Sequence, residues 1–386
     1  MSRPTLLFLV TEDWYFWSHR IDLARAALAA GFEVTLAARF AAHQQRIEAC
    51  GIRCIPLPFV RSMQNPFADL KLAFLITRMV KRLSPTLVHT VALKPILLSA
   101  GAILGCPKVR FCHAVTGLGY LFISRKFSVR CIRALVTPLF KWLFARRNCW
   151  LIAQNADDLS LLTSRGIANL QRAVLIRGAG VDVQRFAVRP LPMDAAPVVL
   201  LPARMLRDKG IGEFVAAARL LRARGVTARC VLVGGLDPSN AAALSAPEIA
   251  DLCRDGAVEW WGQRDDMPDV FALASVVCLP SYREGFPKVL LEAAACGRPL
   301  IATDVAGCRE ICRTDETGLL VPPRDVGALA DAITVLLANP QRCIQMGTAA
   351  RELVVREFSA EIISRETLAF YRRLLASARL DMALAE

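Results

Sequence analysis

The chain has 386 residues, 54% hydrophobic and 21% charged, a length that calls for two domains of about 100–200 residues and a composition that excludes disorder. Its net charge is +14, and the excess is local: residues 61–150 carry 15 Lys or Arg against one acidic residue, while 1–60 carry six against five and 151–386 carry 27 against 28. No apolar run reaches the ~18–20 residues needed to cross a bilayer; the best candidate, Pro95 to Cys106, is too short and follows Lys94, so a multi-pass membrane protein is excluded.

Leu6–Val10 breaks at Thr11, Glu12 and Asp13 with no small-residue cleavage site, so it reads as a first strand and not a secretory signal, which places the chain in the cytoplasm. The thirteen cysteines, an odd number scattered through apolar contexts, fit reduced core thiols, and the C-x3-C pairs Cys50/Cys54 and Cys308/Cys312 do not suggest a structural metal. Strand-like runs then alternate with amphipathic helical stretches, the pattern of a parallel sheet covered by helices. Strands are expected at 5–10, 33–38, 87–91, 109–115 and 150–155, with a helix from Ser18 to Ala30 stopped by Gly31. A second series is expected at 198–203, 229–235, 258–262, 276–281 and 299–304. Between them Arg185–Pro197, with Pro190, Pro192 and Pro197, reads as the linker separating domains 1–188 and 189–386. The fold class is therefore α/β, two doubly wound Rossmann-like domains. Their ligands are expected at the carboxyl ends of the strands, which face a shared interdomain cleft.

The strongest local signal follows the strand ending at Pro280. In Glu284-Gly285-Phe286-Pro287-Lys288-Val289-Leu290-Leu291-Glu292, Pro287 suits the first turn of a helix and Gly297 suits its stop. Two carboxylates eight residues apart, one in a loop and one within the helix, can each accept from a pair of hydroxyls. The free N–H groups at the helix start lie between them and suit a phosphate. A sugar nucleotide has that order of parts: hydroxyls, diphosphate, ribose diol. Glu292 as a merely solvated carboxylate fits poorly, because Leu290, Leu291 and Ala293–Ala295 surround it.

With these residues in view, the chain resembles the retaining glycosyltransferases of family 4, of GT-B fold. Glu284 and Glu292 match that family's E-x7-E donor motif, and Arg204–Gly210 (RMLRDKG) matches its R-L-x-x-x-K-G motif. Residues 178–186 (GAGVDVQRF) resemble N-G-V-D-x-x-x-F with Ala179 in place of Asn, and the loop after VEWWG, beginning at Gly262 and including Arg264, resembles G-x-x-x-D-M/L. The resemblance implies an N-terminal acceptor-binding domain, a C-terminal nucleotide-sugar-binding domain, and a last helix, about 360–380, that crosses back onto the first domain. It further implies that Arg204 and Lys209 hold the donor diphosphate, aided by Gly262, Arg264, Glu284, Gly285, Phe286, Pro287, Val289 and Glu292. Departure of a nucleoside diphosphate builds negative charge, and two fixed cations can neutralise it without a metal; no D-x-D occurs anywhere in the sequence. No cofactor is implied. The family places a histidine near the donor sugar at the end of an N-terminal-domain strand, and His113, in an apolar strand running into Thr116-Gly117-Leu118-Gly119, fits; a structural histidine is the competitor, with His89 an equal candidate for that role.

The first loop departs from the family's Gly-Gly pattern, reading Thr11-Glu12-Asp13-Trp14-Tyr15-Phe16-Trp17-Ser18-His19-Arg20. Four consecutive aromatics and two cations at a helix start, which oppose its dipole unless an anion offsets them, point to an acceptor with apolar or phosphate-bearing parts. Glu12, Trp14, Tyr15, His19, Arg20, Thr116 and Gly117 are the expected acceptor contacts. Residues 125–147, in which basic residues alternate with Phe127, Ile132, Leu135, Leu139, Phe140, Trp142, Leu143 and Phe144, read as a contact with an anionic membrane surface, the alternative being a helix packed on its own domain. No nucleic-acid module accompanies the charge. The reading is a metal-independent hexosyltransferase at the inner face of the cytoplasmic membrane, using a nucleotide sugar, UDP-linked, and a lipid-linked or polysaccharide acceptor. The alternatives are a GT-B sugar-nucleotide epimerase, a nicotinamide-dependent oxidoreductase, disfavoured because no strand is followed by G-x-G-x-x-G, and a non-catalytic peripheral membrane scaffold.

Overall fold

The computed structural model describes residues 3–60, 65–117, 127–192 and 196–383. They form two units: Met1–Ala179 with Ala360–Glu386, and Gly180–Ser359.

Unit 1 contains a parallel sheet of β1 (Thr5–Glu12), β2 (Glu33–Arg39), β3 (Arg53–Pro56), β4 (Leu87–Val91), β5 (Arg110–Val115), β6 (Cys149–Ala153) and β7 (Ala173–Leu175), in the spatial order 3-2-1-4-5-6-7. Its helices are α1 (Asp13–His19), α2 (Ile21–Ala29), α3 (Gln44–Glu48), α4 (Pro66–Leu83), α5 (Leu93–Leu98), α6 (Ala100–Gly105), α7 (Phe127–Phe144) and α8 (Ala156–Ser164). A central strand covered on both faces needs an unbroken apolar run, and every residue from Leu6 to Val10 is at most 1% exposed. Unit 2 repeats the plan with β8 (Val198–Pro202), β9 (Arg229–Val233), β10 (Glu259–Trp260), β11 (Val276–Leu279), β12 (Leu300–Thr303) and β13 (Gly318–Val321), in the order 10-9-8-11-12-13. Its helices are α9 (Ile211–Ala223), α10 (Ala246–Cys253), α11 (Met267–Leu273), α12 (Lys288–Ala295), α13 (Ala306–Arg309), α14 (Val326–Leu337) and α15 (Pro340–Leu353). Both are doubly wound sheets whose strand order reverses between β1 and β4 and between β8 and β11, the places where such sheets bind ligands.

The final helix, α16 (Ala360–Ala383), belongs to unit 1, where Ile363, Phe370, Tyr371 and Leu374 join Ala24 and Ala27 of α2 in one core. The Tyr371 hydroxyl and His89 Nδ1 are 2.5 Å apart inside it.

Three features differ from the sequence reading. The chain from Asp13 to Ala29 is two helices broken at Arg20, where one helix from Ser18 was expected. Asp13, fully buried at the start of α1, accepts the N–H groups of Ala41, Ala42 and His43 with its Oδ2 at 2.8, 2.9 and 2.8 Å and so ties α1 to the loop after β2. Those bonds outweigh burial and hold its pKa below the usual value. The short strands β3, β7 and β13, each at the edge of its sheet, were not anticipated. The start of the expected linker is bound to unit 2: Arg351 donates to the carbonyls of Phe186 and Val183 at 2.8 and 3.0 Å, and the fully buried Arg298 donates to Arg189 O at 2.6 Å.

Candidate active site

At the carboxyl ends of β8 and β11, unit 2 gathers the residues of the two expected donor motifs. Lys209, in the turn after β8, donates to Glu284 Oε1 at 2.5 Å. The turn can approach this closely because Gly210, at φ +75°, has no room for a Cβ, which would stand 2.1 Å from Pro280 O. Tyr282 N donates to Asp208 O at 2.9 Å, and Arg283 pairs with the Asp208 carboxylate at 3.3 Å. Arg204 is ion-paired with Asp237, whose other oxygen accepts from Ser239. Gly234, at φ +150°, lets the backbone after β9 pass against Ala203, where a Cβ would lie 1.8 Å from the carbonyl.

Helix α12 starts at Lys288; Pro287, expected in its first turn, is the extended N-cap residue and offers no side-chain cap. Phe286 anchors its entrance by packing edge-on against Phe358, the ring centroids 5.3 Å apart. Gly307 passes so close that a Cβ there would lie 2.3 Å from Gly285 O. Within the helix Val289 and Glu292 are half-buried, and burial raises the Glu292 carboxyl above its ordinary value despite the opposing charges of Lys288 and Arg185. Gly262, at φ +69°, accepts Gly234 N–H at 2.8 Å. Arg264, exposed, is paired with Asp266 beside it. The structure thus brings Lys209 and Glu284 into contact and leaves Arg264 in a local pair of its own.

Sequence reasoning missed Asp237, Ser281, Tyr282 and Glu213. Tyr282 donates to Glu213 at 2.6 Å, with its phenol pushed up to about 12, chiefly by burial, and the Ser281 hydroxyl is buried without a partner. The signals were Gly234-Gly235 directly after a strand and a polar run, Ser281-Tyr282-Arg283, at the end of an apolar one.

In unit 1, Glu12 is buried in a two-pronged pair with Arg39 at 2.9 and 3.0 Å. Tyr15 stacks on His19 at 4.2 Å, and Trp14 packs edge-on against Tyr15. Arg20 does not open one long helix; it separates α1 from α2. It is 4% exposed, its Nε is sealed without an acceptor, and among the described residues no carboxylate pairs with it. His113 lies inside β5, fully buried, with Nδ1 2.7 Å from Thr90 Oγ1, its ring edge-on to Phe144, and Nε2 without a partner. Burial lowers its pKa to about 3, so the ring is neutral. Thr116 and Gly117 follow β5 directly and are both partly exposed, while Leu118 and Gly119 lie outside the described residues.

In the basic segment, Phe140, Leu143 and Phe144 are buried in unit 1's core; Trp142 is 38% exposed with the Arg146 guanidinium 4.2 Å above it. The expected apolar alternation therefore serves the domain's own packing at these positions. Arg125 and Lys126 lie outside the described residues, as do the side chains of Phe127, Ile132 and Leu135. Among the described residues no helix is long and apolar enough to cross a membrane.

Residues 5–155 match the family described as glycosyl transferase 4-like, and residues 196–339 match glycosyl transferases group 1. The chain is a family 4 glycosyltransferase. This glycosyltransferase is 26% identical over 348 residues to the N,N'-diacetylbacillosaminyl-diphospho-undecaprenol alpha-1,3-N-acetylgalactosaminyltransferase of Campylobacter jejuni, covering 86% of this chain and 89% of that one. Its fold superposes on the sucrose-phosphate synthase of Thermosynechococcus elongatus with a TM-score of 0.81 at 26% identity, over 97% and 100% of the two chains. It superposes on Anabaena Alr3699/HepE, solved in complex with UDP and glucose, with a TM-score of 0.75 at 18% identity, over 95% and 99%. The neighbours are GT-B glycosyltransferases, and the two parallel-sheet units are that fold's two domains.

Proposed function

We propose that this glycosyltransferase moves a hexose or N-acetylhexosamine from a UDP-linked sugar to a lipid-linked or polysaccharide acceptor, with retention of configuration and without a metal, at the cytoplasmic face of a membrane. The observation that carries the reading is the pairing of Lys209 with Glu284 at the point where unit 2's strand order reverses. Arg204 and Lys209 would take the donor diphosphate and neutralise the charge that grows as it leaves. Glu284 would orient the donor sugar's hydroxyls, and Glu292 would accept from the ribose diol. His113 is neutral and its Nε2 is buried without a partner; that nitrogen would serve a sugar hydroxyl only where the site opens to it, and the ring is unsuited to act as a base at neutral pH. No carboxylate nucleophile is required if the acceptor attacks from the face the diphosphate leaves, the departing phosphate taking the acceptor's proton.

The polyprenyl-diphosphate acceptor in the name of the Campylobacter relative supports the lipid-linked class, and the UDP complex of the Anabaena neighbour supports the nucleobase. Arg20, buried beside the start of α2 with no carboxylate partner among the described residues, suits an acceptor phosphate. The test is transfer from a panel of UDP-sugars to a polyprenyl-diphosphate sugar, with the anomeric configuration read by NMR and EDTA present throughout. Strict dependence on added magnesium or manganese, or an inverted product, overturns the reading.

A further inference from the structure

Helix α4, which sequence analysis did not single out, has two apolar sides. Leu72, Ile76, Met79 and Val80 face the core of unit 1 and are at most 9% exposed. On the opposite side Phe67, Leu70 and Phe74, spaced i, i+3 and i+7 and so forming one stripe, are 83%, 71% and 66% exposed. Lys71, Arg78 and Lys81 are exposed on that same side of the helical wheel. The helix's one acidic residue, Asp69, sits off the stripe and is neutralised by Lys94 at 2.6 Å, which also holds the Val60 carbonyl at 2.7 Å.

The geometry points to this side of α4 as the element that seats the chain on an anionic lipid bilayer. The aromatic and aliphatic tips would enter the boundary between headgroups and acyl chains, with the three cations level with the lipid phosphates. Contiguous exposed apolar side chains on a folded protein mark an interaction surface. What selects lipid over a protein partner is charge: the stripe carries cations only, within a stretch holding 15 basic residues against one acidic. The assignment also accounts for α7, whose buried Phe140 and Phe144 cannot enter a membrane; α7 would add charge, and α4 would supply the apolar anchor. The inference rests on the proposed use of a membrane-borne acceptor, and deepens it by naming the surface that meets the membrane.

The experiment is flotation with phosphatidylglycerol/phosphatidylcholine vesicles and with phosphatidylcholine vesicles alone, on wild type, F67S/L70S/F74S, K71Q/R78Q/K81Q and the α7 variant R133Q/K141Q. Wild type is expected to bind the anionic vesicles and to keep a fraction bound in ~1 M salt, where the screening length is ~3 Å. F67S/L70S/F74S should lose that salt-resistant fraction at least tenfold, K71Q/R78Q/K81Q should lose low-salt binding, and R133Q/K141Q should weaken low-salt binding while keeping the salt-resistant fraction. Every substituted position is exposed or half-exposed, so thermal unfolding should be unchanged, and hydrolysis of a soluble UDP-sugar should be unchanged in all variants. Undiminished vesicle binding by F67S/L70S/F74S overturns the inference. So does a wild type that ignores vesicles but sediments as a dimer that F67S/L70S/F74S disperses, which would make the stripe an interface between copies. Loss of hydrolysis in every protein, with vesicle binding intact, would instead count against the enzymatic reading.

Discussion

Lys209 Nζ and Glu284 Oε1 stand 2.5 Å apart, joining the turn after β8 to the loop after β11, with the lysine side chain 20% exposed and the carboxylate 10%. Each is the other's partner, so a ligand that claims the ammonium also frees the carboxylate. Lys209→Ala should lower turnover on the order of 10²-fold or more, as loss of one charge-stabilising group does elsewhere. Glu284→Ala should depress turnover more than apparent donor affinity. If the paired side chains act as one unit, the double variant should be little worse than the worse single, read from steady-state kinetics; fully multiplicative losses would show that the pair is not functionally coupled.

Glu292 gives a prediction with two opposite signs. Its pKa is raised by burial, so ionisation disfavours the native state. The favourable contribution of the neutral carboxyl is present below its unfolded pKa and is lost as pH rises through the higher folded one. At pH 7 Glu292→Gln should therefore raise the melting temperature while weakening donor affinity about tenfold or more, both measurable by calorimetry. Lower stability with unchanged affinity would make Glu292 a structural carboxylate.

The buried histidines predict acid sensitivity. His113 falls from 6.5 to about 3 and His89 is also lowered well below 6.5, both chiefly by burial. Above pH 6.5 both are neutral folded or unfolded. Below it the unfolded chain takes up protons that the native chain refuses, so stability should decline by up to about 1.4 kcal/mol per pH unit for each group until the folded pKa is reached. Chemical denaturation at pH 7 and pH 5 checks this, with His113→Asn expected to flatten the slope. Activity should show no step near pH 6.5 from His113, which stays neutral.

Arg20 is the sharpest test in unit 1. A buried charge without a partner destabilises the native state, so Arg20→Met should raise the melting temperature. If the guanidinium serves an acceptor phosphate, the same variant should lose transfer to a polyprenyl-diphosphate acceptor at least tenfold while keeping UDP-sugar hydrolysis. A lower melting temperature, with transfer retained, would make Arg20 a packing residue.

The central strands and the positions of the Arg204–Gly210 and Glu284–Glu292 segments were legible because each is local: an apolar run as short as Leu6–Val10, bounded by polar residues, suits a strand covered on both faces, and E-x7-E needs only a loop followed by a helix. The short strands Arg53–Pro56, Ala173–Leu175 and Gly318–Val321 were not, because an edge strand is covered less and needs no apolar run. The path of Asp13–Arg20 was hidden for another reason. The start of α1 is held by the bonds of Asp13 to amides nearly thirty residues away, and four adjacent aromatics carry no period that separates a helix from a loop. Asp237 was missed because only the fold brings it to Arg204.

Unit 1 is built from two separated stretches, with all of unit 2 inserted between them. Its core lacks Phe370, Tyr371 and Leu374 until the chain beyond residue 374 has been synthesised. Unit 2 is continuous in sequence and can close first, although it comes second from the ribosome. Until α16 arrives, His89 has no Tyr371 and the side of α2 that it covers is open to water. The nascent first domain should therefore be the chaperone client, and a stop codon before residue 360 should compromise the domain encoded earliest while leaving the one encoded next to it folded.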